Sequence, residues 1–302
     1  MCLRGNAMNK NFSGSRRRRP RILRALPALR RVVGQWRARR DVIALVPTMG
    51  ALHAGHLALV RLARRPADRV VVSIFVNPTQ FAANEDLATY PRTFTADITA
   101  LEGARADLIW APSIATMYPV GFATRIVPEG PAFAGLEDAF RPHFFAGVAT
   151  VVAKLLIQCE PDIAIFGEKD YQQLIVVRRL TRDLGLKTRI AGVPTIREPD
   201  GLALSSRNSY LSAKERAAAP ILYRVLSRCG AEIAMGKSIA NVLARGRAAI
   251  KAAGFALDYL EARDSVTLAP LGDTEGQSIR LLVAARIGKT RLIDNVGVKI
   301  AR

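Results

Sequence analysis

Cysteine is scarce in this chain of 302 residues, and the three present, Cys2, Cys159 and Cys229, are odd in number and far apart. That excludes a disulfide framework and a zinc-ligand spacing, and it fits a reducing compartment. Half of the residues are hydrophobic. Even so, no uninterrupted apolar run approaches the roughly 18 residues of a membrane-spanning helix, so a cytoplasmic globular protein with no membrane partner is expected. Acid is absent where base is dense. Residues 1–40 hold thirteen Lys or Arg and neither Asp nor Glu, so of the formal net charge of +20 only +7 belongs to the other 262 residues. The run Arg16 to Arg19, followed by Pro20, reads as a disordered basic extension over 1–21. Its composition fits contact with nucleic acid or anionic lipid, an organelle-targeting segment, or an upstream extension of the reading frame. It has no interleaved aromatics and no binding module follows it, so no specific nucleic-acid partner is expected.

What remains is organised around Val42 to His56, VIALVPTMGALHAGH. The apolar run Val42 to Val46 reads as a buried parallel strand that breaks at Pro47-Thr48-Met49-Gly50, before a helical pattern starts near His53. In this strand, turn and helix start, Gly50 allows close backbone approach, and Gly55 keeps the first helical turn free of side-chain bulk. Unpaired N–H groups at the helix start favour phosphate oxygens. His53 and His56 are three residues apart and share a helix face. Two imidazoles donating to one phosphate chain is the chemistry this spacing suggests. The alternative is that both only cap and pack.

Helical periodicity predicts an opening helix over 22–36, then a second buried strand, Val70 to Val76, that runs into Asn77-Pro78-Thr79-Gln80. A helix over 97–103 and a strand over 106–111 follow. The irregular, proline-rich section 112–141 is expected to cover a site and to contain one strand, Thr124 to Val127. An apolar helix over 147–157 leads to a strand over 162–166 that ends in Gly167-Glu168-Lys169-Asp170 at the start of the next helix. Lys169 there suits phosphate or is a solvated surface charge, and Asp170 is a candidate for magnesium held through phosphates. From Thr195 the pattern changes: a turn at Pro199-Asp200-Gly201 leads to Ser205-Ser206-Arg207, donors that suit phosphate oxygens. A helix over 212–230 opens with the capping-box pair Ser212 and Glu215, a second helix spans 239–253, and three strands close the chain. Alternating strands and helices predict an α/β fold, a Rossmann-like doubly wound parallel sheet over 22–194, with a smaller α+β C-terminal lid domain over 195–302.

VPTMGALHAGH, SIFVNPTQF, EDLATYPRT, FGEKDYQQL, DGLALSSRNSYLS and RLLVAARIGKTRLIDN, in this order, resemble the pantoate–β-alanine ligase family of the nucleotidyl-transferase superfamily. The resemblance covers about Leu26 to Ile300. It implies a two-step reaction in which pantoate and ATP, with Mg²⁺ on the nucleotide, give pantoyl adenylate and pyrophosphate, and β-alanine then displaces AMP. Carried over by position, Met49, Gly50, Ala51, Leu52, His53, Ala54, Gly55 and His56 line the ATP site, with His56 as proton donor and His53 beside it. Gly167, Glu168, Lys169 and Asp170 contact ATP, Lys169 through the phosphates. Ile196, Leu204, Ser205, Ser206 and Arg207 close over the nucleotide. Gln80 and Gln173 hold pantoate, and Gln80 also serves β-alanine. A homodimer is implied as well. Two positions depart from the family: Thr79 replaces a usual Met, and His143 stands one place before the family's histidine, whose own position holds Phe144. His143 is expected to cap the following helix or to order the covering loop from its shifted place. A different adenylyl- or cytidylyl-transferase with the same histidine motif is the competing enzyme reading, and a nucleic-acid-binding protein driven by the arm is the competing non-enzyme one.

Overall fold

The computed structural model describes residues 19–81, 87–271 and 278–298. Cys2, Arg16 to Arg18 and the Glu85-Asp86 start of EDLATYPRT lie outside the described residues. Six strands form one parallel sheet: β1 (Arg21–Leu23), β2 (Ile43–Thr48), β3 (Arg69–Ile74), β4 (Leu108–Trp110), β5 (Ile163–Gly167) and β6 (Arg189–Val193). Their order is β1-β4-β3-β2-β5-β6. The chain winds from β2 through β3 to β4 on one side and from β5 to β6 on the other, so its direction reverses between β2 and β5, which pair at Ala44 and Ile163. The loops leaving the carboxyl ends of two such strands diverge and leave a crevice between them.

Helices cover both faces of this sheet. α1 (Leu26–Ala38), α6 (Phe144–Cys159) and α7 (Tyr171–Asp183) pack where Ile43, Leu45 and Val71 point, and α2 (Ala54–Ala63) and α3 (Phe94–Gly103) pack where Ala44, Val46, Val70 and Val72 point. Alternate residues of β2 and β3 therefore enter two different cores, which is why both strands read as unbroken apolar runs. Single-turn helices α4 (Ile114–Met117) and α5 (Glu137–Phe140) punctuate the irregular section before α6.

Three readings are corrected. The described residues open with a strand rather than a helix, since 21–23 pairs in parallel with β4 and only then does α1 begin; three residues at a sheet edge are too few to show a period. No strand forms at Thr124 to Val127, where Val127 is exposed and the Ile126 N–H is taken by Thr150 Oγ1 at 3.0 Å. The helix expected over 212–230 is two, α8 (Ala213–Ala218), with the Ser212–Glu215 capping box in place, and α9 (Ile221–Ala234). Pro220 has no N–H to carry the first into the second.

The C-terminal part is an antiparallel sheet of β7 (Ala256–Asp264), β8 (Ile279–Ile287) and β9 (Thr290–Val298). α9 and α10 (Ile239–Ala252) cover the face of Leu281, Val283 and Ala285, and the other face turns Leu282, Ala284 and Tyr259 into the core beneath α6 and α7. Strand alternation in β8 thus serves two cores and fastens the small sheet to the large one. A buried ionic junction crosses the same boundary. Arg291 forks onto Glu137 at 2.7 and 2.9 Å and reaches Asp258 at 2.6 Å, and the Tyr259 hydroxyl donates to Glu137 at 2.8 Å. Burial alone would raise the Glu137 carboxyl, but the Arg291 fork and the Tyr259 hydroxyl outweigh it and hold it below the usual range.

Candidate active site

The β2 half of the crevice is a loop whose backbone donors are almost all committed. Gly50 and Ala51 both take positive φ, 87° and 50°, a costly conformation for alanine. What holds it is Asp97, a buried carboxylate on α3 that accepts from the N–H groups of Ala51 (3.1 Å) and Leu52 (2.9 Å) and from Thr93 Oγ1 (3.1 Å). Sequence reasoning missed this residue. Its only trace was an acid in the first turn of a helix otherwise patterned for the core.

His53 is the N-cap of α2, and the two histidines form a reciprocal capping box: His53 Nδ1 accepts from Gly55 N (3.1 Å) and His56 Nδ1 accepts from His53 N (3.4 Å). Gly55 is required because a Cβ there would stand 2.8 Å from the His53 ring. The expected cradle of unpaired N–H groups is thereby corrected, since the donors of Gly50, Ala51, Leu52, His53 and Gly55 already have partners inside the protein. Capping and chemistry are also not alternatives. An imidazole whose Nδ1 accepts carries its proton on Nε2 when neutral, so each ring caps with one nitrogen and keeps an N–H donor on the other. The ring centroids are 4.0 Å apart.

From the β5 side, Lys169 stands in a 3-10 turn, Glu168–Asp170, between β5 and α7. From the C-terminal part, Ile196 and Leu204 are joined by a backbone bond from Leu204 N to Ile196 O (3.0 Å). These elements close a cavity of about 240 Å³ lined by Met49, His53, Gly55, His56, Gln80, Gly167, Lys169, Asp170, Gln173, Ile196, Leu204, Ser205, Ser206 and Arg207. Of the expected site residues, Gly50, Ala51, Leu52, Ala54 and Glu168 do not line it. The first three fold against Asp97, Ala54 is exposed, and Glu168 pairs with Arg280 at 3.0 Å. A second cavity of about 470 Å³ shares Lys169, Asp170, Gln173, Ser205 and Arg207 and continues between the two sheets.

Gln80 is presented by a 3-10 turn, Pro78–Gln80, that buried Asn77 organises. Asn77 Oδ1 accepts from Thr79 Oγ1 (3.0 Å) and the Tyr118 hydroxyl (2.8 Å), and its amide donates to Gly147 O (3.2 Å). Thr79 therefore spends its hydroxyl on Asn77, a contact that methionine cannot make. Of the two roles expected for His143, capping is corrected: it is the N-cap residue of α6, yet its exposed side chain makes no capping bond. Phe144, the first helical residue, lines both cavities instead, with the Arg141 guanidinium 3.8 Å above its ring.

Burial, then the positive charge of Lys169, brings the His53 pKa down to about 4; burial, then His53 and Lys169, brings that of His56 down to about 3. Both rings are neutral Nε2–H donors at neutral pH. An unfolded chain takes up these protons near 6.5, whereas the folded one resists until about 4 and 3. Their contribution to stability is therefore complete above about pH 6.5 and is lost as pH falls toward 3. We expect kcat/KM to show no histidine break near pH 6.5. An acid limb at that pH that vanished in His53→Gln would show an ionising imidazole and overturn this.

A doubly wound parallel sheet whose switch point gathers two imidazoles and a lysine around one cavity defines an α/β enzyme with its candidate site at the carboxyl ends of the strands. A family model described as pantoate-beta-alanine ligase matches residues 21–297, and the chain belongs to that family. Pantothenate synthetases of Nitrobacter hamburgensis and Rhodopseudomonas palustris are 61% and 60% identical to it over 281 residues, each covering 93% of this chain and 99% of the relative. The crystal structure of pantothenate synthetase from Thermus thermophilus superposes with a TM-score of 0.86 at 48% identity, covering 91% of this chain and 98% of that one. That of the pantoate-beta-alanine ligase of Francisella tularensis, complexed with beta-gamma ATP and beta-alanine, gives 0.77 at 35%, covering 92% and 97%.

Proposed function

We propose that this enzyme condenses (R)-pantoate with β-alanine at the expense of ATP, through an enzyme-held pantoyl adenylate, releasing pyrophosphate and AMP. The observation that carries this is the convergence of His53, His56 and Lys169 at the β2/β5 crevice with Gln80 and Gln173 lining the same cavity. In the first step a pantoate carboxylate oxygen bonds to the α-phosphorus as the bond to pyrophosphate breaks. Negative charge gathers on the α-phosphate and the leaving group, where the two Nε2–H donors and the Lys169 ammonium stabilise it. In the second step the neutral amine nitrogen of β-alanine bonds to the acyl carbon, AMP departs with the bridging oxygen, and the nitrogen releases one proton to solvent. Gln80 and Gln173 orient pantoate, and Gln80 also serves β-alanine. Ile196 and Leu204 to Arg207 close over the nucleotide and keep water from the mixed anhydride.

Magnesium belongs to this reading as part of the nucleotide substrate. Among the described residues no three His, Cys, Asp or Glu side chains gather to hold a metal ion. The ion would be carried mainly by phosphate oxygens, with Asp170 as the carboxylate beside them. The reading also includes a cytoplasmic enzyme, a division near residue 195 into a nucleotide- and pantoate-binding domain and a lid, and a homodimer. Among the described residues no helix is long and apolar enough to cross a membrane.

The test is isotope exchange. Pantoate with Mg-ATP should support exchange of labelled pyrophosphate into ATP without β-alanine, and AMP release should need all three substrates. Failure of pantoate-dependent exchange in a preparation that still makes pantothenate would remove the adenylate step; exchange driven by another acid would favour the competing acceptor.

A further inference from the structure

The segment RLLVAARIGKTRLIDN has so far no part in the site. It ends on β9 in Asp294 and Asn295, two adjacent polar residues that are 5% and 3% exposed. Burying such groups is costly unless their hydrogen bonds are made. The Asn295 side-chain amide donates to the carbonyl oxygens of Glu168 (2.8 Å) and Lys169 (2.9 Å), and its Oδ1 accepts from Arg280 Nε (2.7 Å). These partners fix which end of the amide is which, since carbonyls only accept and a guanidinium only donates. Arg280 completes the clamp with Glu168 Oε2 at 3.0 Å and lies 3.8 Å over the Tyr171 ring. The turn that carries Lys169 is thus gripped through its backbone by the small C-terminal sheet.

Asp294 does the corresponding work on the other wall. It takes the Arg197 guanidinium in a fork at 2.6 and 2.8 Å. Arg197 directly follows Ile196 and bridges to Ala203 just before Leu204. One buried dipeptide therefore sets the register between the 168–170 turn and the 196–207 segment.

We propose that Asn295 is a positioning residue for Lys169: by holding the carbonyls of Glu168 and Lys169 it fixes where the Lys169 ammonium stands relative to the two imidazoles. This rests on the assignment of Lys169 to the phosphates. A purely structural asparagine would change stability and leave its effect on turnover independent of Lys169. A positioning one spends its effect through that side chain.

The experiment is a double-mutant cycle on the full chain, with kcat, ATP affinity by calorimetry and Tm measured together. Asn295→Ala is expected to lower kcat about tenfold or more in the wild-type background and less than about threefold in Lys169→Ala, with the same non-additivity in ATP binding. Asn295→Asp keeps the volume but turns a carboxylate toward two carbonyl oxygens. It should fold and lose at least as much turnover, which keeps the test intact if the alanine variant does not fold. Equal fold-losses in both backgrounds, or near-normal turnover in Asn295→Asp, would overturn the proposal while the Lys169 assignment stood. Near-normal turnover in Lys169→Ala would overturn that assignment and this proposal with it.

Discussion

His56→Ala is expected to lower kcat at least ~10²-fold, the loss typical of removing one preorganised donor from a developing charge, and Lys169→Ala to do the same. The fold should tolerate both. The capping bond accepted by His56 Nδ1 is long, 3.4 Å, and losing a cap costs only about 1 kcal/mol; the Lys169 side chain lies at the cavity wall rather than in a core. Because the His56 imidazole is neutral, with its pKa near 3, the role assigned to it is hydrogen-bond donation without ionisation. His56→Gln, whose amide is also a neutral donor, should therefore recover more turnover than His56→Ala, and its pH profile should match that of the native enzyme. Single-turnover adenylation followed by quenching would measure this directly. Near-normal turnover in His56→Ala would remove the residue from the chemistry, and equal losses in the glutamine and alanine variants would remove the neutral-donor role.

Asp97→Ala is expected to cost about 3 kcal/mol or more of stability and to impair nucleotide binding, although Asp97 touches no part of the cavity. Hydrogen bonds to a charged group are each worth roughly 1.5–3 kcal/mol, and their loss here strands two backbone N–H groups. The loop they hold contains Ala51 at φ 50°, a conformation costing about 1–2 kcal/mol that persists only while its surroundings impose it. Released, residues 50–52 should relax and carry His53 with them, since His53 follows directly and caps α2. Urea denaturation gives the first quantity and the pyrophosphate exchange rate the second. Asp97→Asn offers one acceptor in place of two and should fall between the alanine variant and the native enzyme. A stable Asp97→Ala enzyme with unchanged exchange would show that the loop needs no such support.

Much of this arrangement was legible in the residues because it is local. The apolar runs 43–46 and 163–166 became strands, for a strand buried on both faces has nothing to alternate. The Ser212–Glu215 box formed because both of its bonds lie within one turn. Pro220 was an equally local signal, and its missing N–H split α8 from α9. The three-residue β1 was not legible, since its only reason to be a strand is β4, far along the chain, where Arg21 meets Leu108. Phe144 shows the same limit: position alone made the family's histidine absent, and only the helix start at 144 turned the phenylalanine, not His143, toward the cavity.

By itself, the sequence determined which side chains this protein has for chemistry, two histidines at N-cap and N3, a lysine after a strand, one glutamine after a strand and another in the first turn of a helix, because motif spacing and strand ends are properties of neighbouring residues. Tertiary structure alone decided the state in which they act. The imidazoles are neutral because packing desolvates them beside Lys169, the backbone donors of Ala51 and Leu52 are consumed because α3 brings Asp97 beneath them, and the Lys169 turn is held because β9 brings Asn295 against it across 126 residues. Desolvation, a buried carboxylate and a cross-sheet amide all depend on which distant segments share a cavity, and no local pattern in a chain records that.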